Sequence, residues 1–174
     1  VNVTGLTAGV KNNSVTVNSL NGGTGNTSNA SLTVVGTAPP GITKVFGAAS
    51  VLLNGSTSLS FTLNNPNAGV ALSNVGFFDS LPFGLAVATP NGLIGPCGGG
   101  TITATAGSSF VQLAGASLAA GTSCNFSVNV TGFTAGVKNN SVTVNSLNGG
   151  TGNTSNASLT VIGISPPGIT TVFG

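Results

Sequence analysis

Apolar and polar residues alternate with a period of two through most of the chain. Leu59, Phe61 and Leu63 alternate with Ser58, Ser60 and Thr62, and Cys124, Phe126, Val128 and Val130 with Asn125, Ser127 and Asn129. Val142 and Val144 alternate with Ser141 and Thr143, and Ala157, Leu159 and Val161 with Ser158 and Thr160. Successive side chains of a strand point to opposite faces, so each run predicts a strand with one dry and one wet face. Turn signals at Asn54-Gly55, Asn91-Gly92 and Asn148-Gly149 separate the runs, and no segment shows the stripe of an amphipathic helix. The Gly-rich GGTGNTSNAS lacks the spacing and the lysine of a phosphate loop and is predicted to be a long hairpin loop. Seven to nine short strands are predicted per unit. They imply an all-β, antiparallel Ig-like β-sandwich. A β-solenoid would need a short internal period, and none exists.

The same pattern occurs twice. VKNNSVTVNSLNGGTGNTSNASLTV at residues 10–34 recurs letter for letter at 137–161. Residues 1–47 align without gaps with 128–174, differing only at Leu6/Phe133, Val35/Ile162, Thr37/Ile164, Ala38/Ser165 and Lys44/Thr171. The offset of 127 residues exceeds solenoid repeats and matches the size of an independently folding domain. Pro39-Pro40, repeated as Pro166-Pro167, favours a stiff, extended linker. The expected organisation is therefore residues 1–37 as the C-terminal part of a preceding repeat, 38–164 as a complete Ig-like repeat, and 165–174 as the first strand of the next.

Composition removes most chemistry. Of 174 residues only Lys11, Lys44, Lys138 and Asp79 are charged, 2% of the chain, and there is no His, Glu, Arg, Trp or Tyr. No His-based dyad or carboxylate pair is available for catalysis, no ligand set for zinc or calcium, and no basic patch for nucleic acid. The expectation is a non-enzyme without cofactor or metal. No run of eighteen apolar residues is present to span a membrane. Lys11 and Lys138, at matching positions in the polar runs KNNS, are expected on the solvated surface.

ITKVFG, LSFTLNNPNAGVALSNVGFFDSLPFGLAVA, GPCGGG, LAAGTSCNFSVNVTG and AGVKNNSVTV follow one another in the order of a widespread bacterial surface repeat. In these motifs residues 38–164 resemble the conserved repeat domain known as domain of unknown function eleven. The resemblance implies Ig-like sandwiches strung in tandem on large secreted or surface-attached proteins, and no biochemical activity.

Two constellations remain. Cys97 and Cys124 are expected to form a disulfide in a secreted domain; two reduced thiols in a cytosolic one is the alternative. The resembling family often carries a cysteine pair here. Strand parity also places Lys44 with Ile42 and Phe46, Asp79 with Phe77, and Asn140 with Val142, so all three polar groups are expected to point inward. Buried charges must be paired, which makes a Lys44–Asp79 contact the minimum. The set is similar to that which forms intramolecular isopeptide bonds in Gram-positive surface Ig-like domains. There a neutral lysine attacks an Asn amide beside a protonated carboxyl. The alternative is that Lys44 lies along an edge strand with its ammonium in water.

A surface of Asn, Ser, Thr and Gly gives little electrostatic protection from self-association. The expected function is a structural repeat of a long extracellular filament or cell-surface fibre, with neighbouring copies of itself as partners. The alternative is a stalk domain of a bacterial adhesin whose binding tip lies elsewhere.

Overall fold

The computed structural model describes residues 1–172 and divides the chain after Thr37 into two compact units. Phe173 and Gly174, the end of the segment expected to form a next first strand, lie outside the described residues; 163–172 take no regular structure.

The first unit is a single antiparallel hairpin, β1 (Gly9–Ser19) and β2 (Gly23–Val34). The second begins at Ala38 and contains β3 (Gly41–Phe46), β4 (Ser50–Leu52), β5 (Ser56–Asn64), β6 (Leu72–Ser80), β7 (Leu85–Val87), β8 (Thr101–Thr103), β9 (Phe110–Leu118), β10 (Ser123–Gly132), β11 (Gly136–Ser146) and β12 (Gly150–Ile162). These ten strands exceed the seven to nine expected. The difference lies in β4, β7 and β8, each of three residues and too short to show an alternation.

One sheet has the order β3-β5-β10-β7 and the other β4-β12-β11-β6-β9-β8. All pairings are antiparallel except β4 with β12. The protein is thus an Ig-like β-sandwich in which the first segment changes sheet between β3 and β4. GGTGNTSNAS is not a loop: β12 starts at Gly150 and β2 at Gly23, leaving only a tight turn before each. Its alternation is hidden because both faces of this stretch are polar or small.

The two inner faces meet in an apolar core. Leu59, Phe61 and Leu63 of β5 and Phe126, Val128 and Val130 of β10 face Val75, Phe77, Val111, Leu113, Val142, Val144 and Leu159. Phe61 stacks on Phe77 and Phe126 with ring centroids 4.8 and 5.1 Å away. Each such side chain contributes about 1.5–3 kcal/mol on burial. Cys97 and Cys124 form a disulfide with a Cα–Cα distance of 5.1 Å, tying the loop before β8 to the start of β10. Closing that loop stabilises by about 3.5 kcal/mol in the chain-entropy treatment.

Candidate functional site

Lys44, Asp79 and Asn140 converge in the core from three strands. β3 alternates Ile42, Lys44 and Phe46 toward the interior because Thr43 and Val45 occupy its outer face. β6 presents Phe77 and Asp79, and β11 presents Asn140, Val142 and Val144. Lys44 is 1% exposed, Asp79 0% and Asn140 4%. The alternative in which the Lys44 ammonium reaches water is therefore excluded. Lys44 comes from one sheet and its two partners from the other.

The Lys44 Nζ donates to Asp79 Oδ1 at 3.2 Å and to Oδ2 at 3.4 Å. Asn140 Nδ2 donates to Asp79 Oδ2 at 3.1 Å, and the buried Asn140 Oδ1 has no hydrogen-bond partner. Burial lowers the Lys44 ammonium below its ordinary value, against the opposing pull of the Asp79 charge. Burial likewise raises Asp79, while Lys44 and Asn140 pull it down by lesser amounts. Both shifts act toward the uncharged forms of a lysine and an acid that lie beside an amide in a dry site.

Lys138 departs from its expected place. It is buried, on the same face of β11 as Asn140, Val142 and Val144, and its Nζ donates to Thr134 Oγ1 at 2.6 Å. Its sequence neighbours Val137 and Asn139 belong to the opposite, exposed face, so strand parity and not local polarity fixes its side. Lys11 is exposed and bonds Thr7 Oγ1 at 2.8 Å.

Other polar groups hold the frame around the cluster. Asn153 of β12 accepts from Ile42 N at 2.8 Å and donates to Ile42 O at 2.9 Å, and Ser155 Oγ accepts from Lys44 N at 2.9 Å. These side chains cover the open edge of β3 and fix the backbone that carries Lys44. Buried Asn65 donates to Leu118 O and Ala119 O at 3.1 and 3.0 Å. Asn67 accepts from Ala38 N at 2.7 Å and donates to Ala38 O at 2.9 Å. Pro40 is buried and Pro39 exposed, so the first Pro-Pro pair is partly built into the sandwich; Pro166 and Pro167 are exposed. The signal for Asn153 was present in the sequence only as a polar residue in a polar run, which nothing distinguishes from a loop.

A family model described as a domain of unknown function, DUF7933, matches residues 40–161. The chain belongs to the DUF7933 family. The match covers every strand of the sandwich, β12 as far as Val161, and all three residues of the buried cluster. No curated protein matches the chain. Among solved structures, BcpA, the major pilin subunit of Bacillus cereus, is similar with a TM-score of 0.50 and 12% identity, over 87% of this chain and 48% of that one. A structure named BspA_C_WT is similar with a TM-score of 0.50 and 14% identity, over 89% of this chain and 60% of that one. A non-cellulosomal cohesin from the hyperthermophilic archaeon Archaeoglobus fulgidus gives a TM-score of 0.45 and 13% identity, over 70% of this chain and 91% of that one. For the two structures at a TM-score of 0.50, the likeness at these identities is one of fold alone. The DUF7933 description assigns no activity, so function rests on the residues.

Proposed function

We propose that this DUF7933 domain is a structural repeat of a long extracellular filament or cell-surface fibre, assembling with near-identical copies of itself. One observation carries the reading: residues that no core requires recur with those that one does. Asn139, Ser141, Thr143, Asn145, Asn156, Ser158 and Thr160 are exposed, yet each is identical to its counterpart 127 positions earlier. Burial explains the identity of Val142 or Leu159 and not theirs. Either very recent duplication or a surface that must fit the same surface on the next copy accounts for theirs; we take the second, which the near absence of charge suits. Kinship of DUF7933 with the domain-eleven repeats, supported by the order of the shared motifs, is part of the same reading. Catalysis is not.

In this reading the buried cluster is a covalent lock between the sheets. The neutral Lys44 Nζ attacks Asn140 Cγ, and the Asp79 carboxyl hydrogen-bonds the amide oxygen to polarise the carbonyl. With its amide turned over, Asn140 accepts that hydrogen on Oδ1 across the same 3.1 Å contact, leaving nitrogen as the unpartnered atom. The new C–N bond forms as Cγ–Nδ2 breaks. Asp79 relays a proton from the attacking amine to the leaving nitrogen, which departs as ammonia, so no oxidant or cofactor is needed. Thr171 stands where the next copy would need Lys44, so a repeat beginning there would lack the lock.

Negative-stain imaging of the native assembly tests the fibre reading. Bare beaded threads are expected. Cell-attached stalks ending in a distinct head would overturn it in favour of an adhesin spacer.

A further inference from the structure

The chain enters and leaves the sandwich at opposite ends. Ala38 opens the body, held by two hydrogen bonds to Asn67, and its carbonyl lies 2.9 Å from where a Cβ on Gly149 would stand. Gly149 immediately precedes β12. At the far end of that strand the Ile162 carbonyl accepts from Leu53 N at 2.9 Å, and beyond it residues 163–172 take no regular structure. A strand of 13 residues at about 3.3 Å each sets the two points about 40 Å apart.

The spacer between bodies is short. Residues 165–172 repeat 38–45 with changes only at Ser165 and Thr171, so Ser165 stands where the next body opens. Ala38 is anchored through its backbone, which a serine reproduces. Only Gly163 and Ile164 then separate the last residue held by one body from the first held by the next. Three Cα–Cα steps span at most about 11 Å, so the two end surfaces must meet.

Both ends carry uncovered apolar side chains beside the path of the chain. At the exit, Phe83 and Phe133 are 84% and 47% exposed and lie edge to face with ring centroids 6.3 Å apart. Phe133 N donates to Gly84 O at 2.8 Å, which joins their loops. Phe133 follows Gly132, whose carbonyl accepts from Asn54 N, next to the Leu53 that holds Ile162. At the entry, Val70 and Leu147 are 44% and 77% exposed, in the loops that carry Asn67 and Gly149. The differences between copies fall in the same place. Of the five between residues 1–47 and 128–174, four belong to this junction: Leu6/Phe133, Val35/Ile162, Thr37/Ile164 and Ala38/Ser165. The first three all add apolar bulk, which suits one packed contact altered as a unit.

We infer that the end of the sandwich built on Phe83 and Phe133 packs on the loops 65–71 and 147–149 of the repeat that follows in the same chain. Two rings on one side meet Ala68, Gly69 and Ala71 beside Val70 on the other, and none of these loops has a charged residue. Successive sandwiches stack end to end as a stiff rod, their centres about 50 Å apart. The inference rests on the tandem-repeat part of the fibre reading and not on lateral assembly.

The sandwich has its own core, both sheets and the disulfide, so the test uses two consecutive repeats, residues 38–164 followed directly by a second 38–164. Small-angle X-ray scattering should give one narrow separation of about 50 Å between the two centres. Phe83→Ser with Phe133→Ser should broaden it and leave the melting temperature of a single repeat unchanged. Val70→Ser with Leu147→Ser, across the contact, should broaden it likewise, so a fold lost to one pair still leaves the other. A much shorter separation, a broad one in the unaltered chain, or a narrow one that survives both pairs would overturn the inference. A monomeric two-repeat chain with the narrow separation supports the junction even where lateral assembly fails.

Discussion

Two stretches of this chain have the same 25 residues and the same strand pairing, and differ in what covers them. In β11–β12 the even-numbered residues of the first strand, Lys138 to Ser146, are all buried; in β1–β2 their counterparts Lys11 to Ser19 are all exposed. Even the cross-strand hydroxyl pair is kept, Thr143 with Thr154 and Thr16 with Thr27, each at 2.6 Å. Hairpin geometry is therefore local, set by the turn and by cross-strand pairs. Burial, and with it the hydrogen bond of Asn140 to Asp79, is supplied by the sandwich body.

Paired substitutions break that comparison most sharply at the core. Val144→Asp puts an uncompensated carboxylate into the apolar core and is expected to cost about 4 kcal/mol or more. Val17→Asp in the isolated chain should change stability by no more than about 0.5 kcal/mol. Urea unfolding followed by circular dichroism measures both. Asn140→Ala removes the electrophile of the lock. By analogy with a disulfide closing a loop of similar size, its loss should cost about 4 kcal/mol. Asn13→Ala should leave the unfolding midpoint unchanged. Asn153→Ala strips two hydrogen bonds from Ile42 and leaves its N–H exposed to the sheet edge alone, a loss of about 1–3 kcal/mol. Asn26→Ala should give none.

The smallest effect is on pH dependence. In Asn140→Ala, Lys44 remains an amine and Asp79 a carboxyl. Asp79 is raised in the folded state, which then holds the extra proton. Its contribution to stability therefore falls as pH rises from the ordinary value of 3.8 through the folded value. Lys44 is lowered, so the unfolded state holds the extra proton and stability rises as pH climbs from the folded value toward 10.5. The variant should be least stable between the two windows. The cross-linked chain should lack the alkaline rise, because its Lys44 nitrogen is an amide. Asp79 is the only acidic side chain, so the acid unfolding common to carboxylate-rich proteins is not expected.

Parity made much of this legible. Leu59-Phe61-Leu63 and Phe126-Val128-Val130 read directly as strands, and Ile42-Lys44-Phe46 with Phe77-Asp79 and Asn140-Val142 placed a lysine, an acid and an amide on inner faces. The same rule applied to β11 would have turned Lys138 inward; the polar run Asn139-Asn140-Ser141 after it obscured that. Asn153 and Ser155 were illegible because they lie where β12 meets a neighbouring backbone, so their polarity serves hydrogen bonds and not solvent. The strands β4, β7 and β8 could not be read because three residues hold no period, and their pairing comes from chain segments far away in sequence. Function was less legible than fold. Its clue is sameness between copies at exposed positions, and no single residue carries it.

Intact and peptide mass spectrometry of the folded 174-residue chain tests the central claim most directly. Apart from the two hydrogens lost to the disulfide, the mass should fall short of the sequence mass by one ammonia, about 17 Da. Digestion should yield Lys44 and Asn140 in one branched peptide, with Asn13 unmodified. An unaltered mass, with Lys44 and Asn140 in separate linear peptides, would contradict a covalent lock between the sheets.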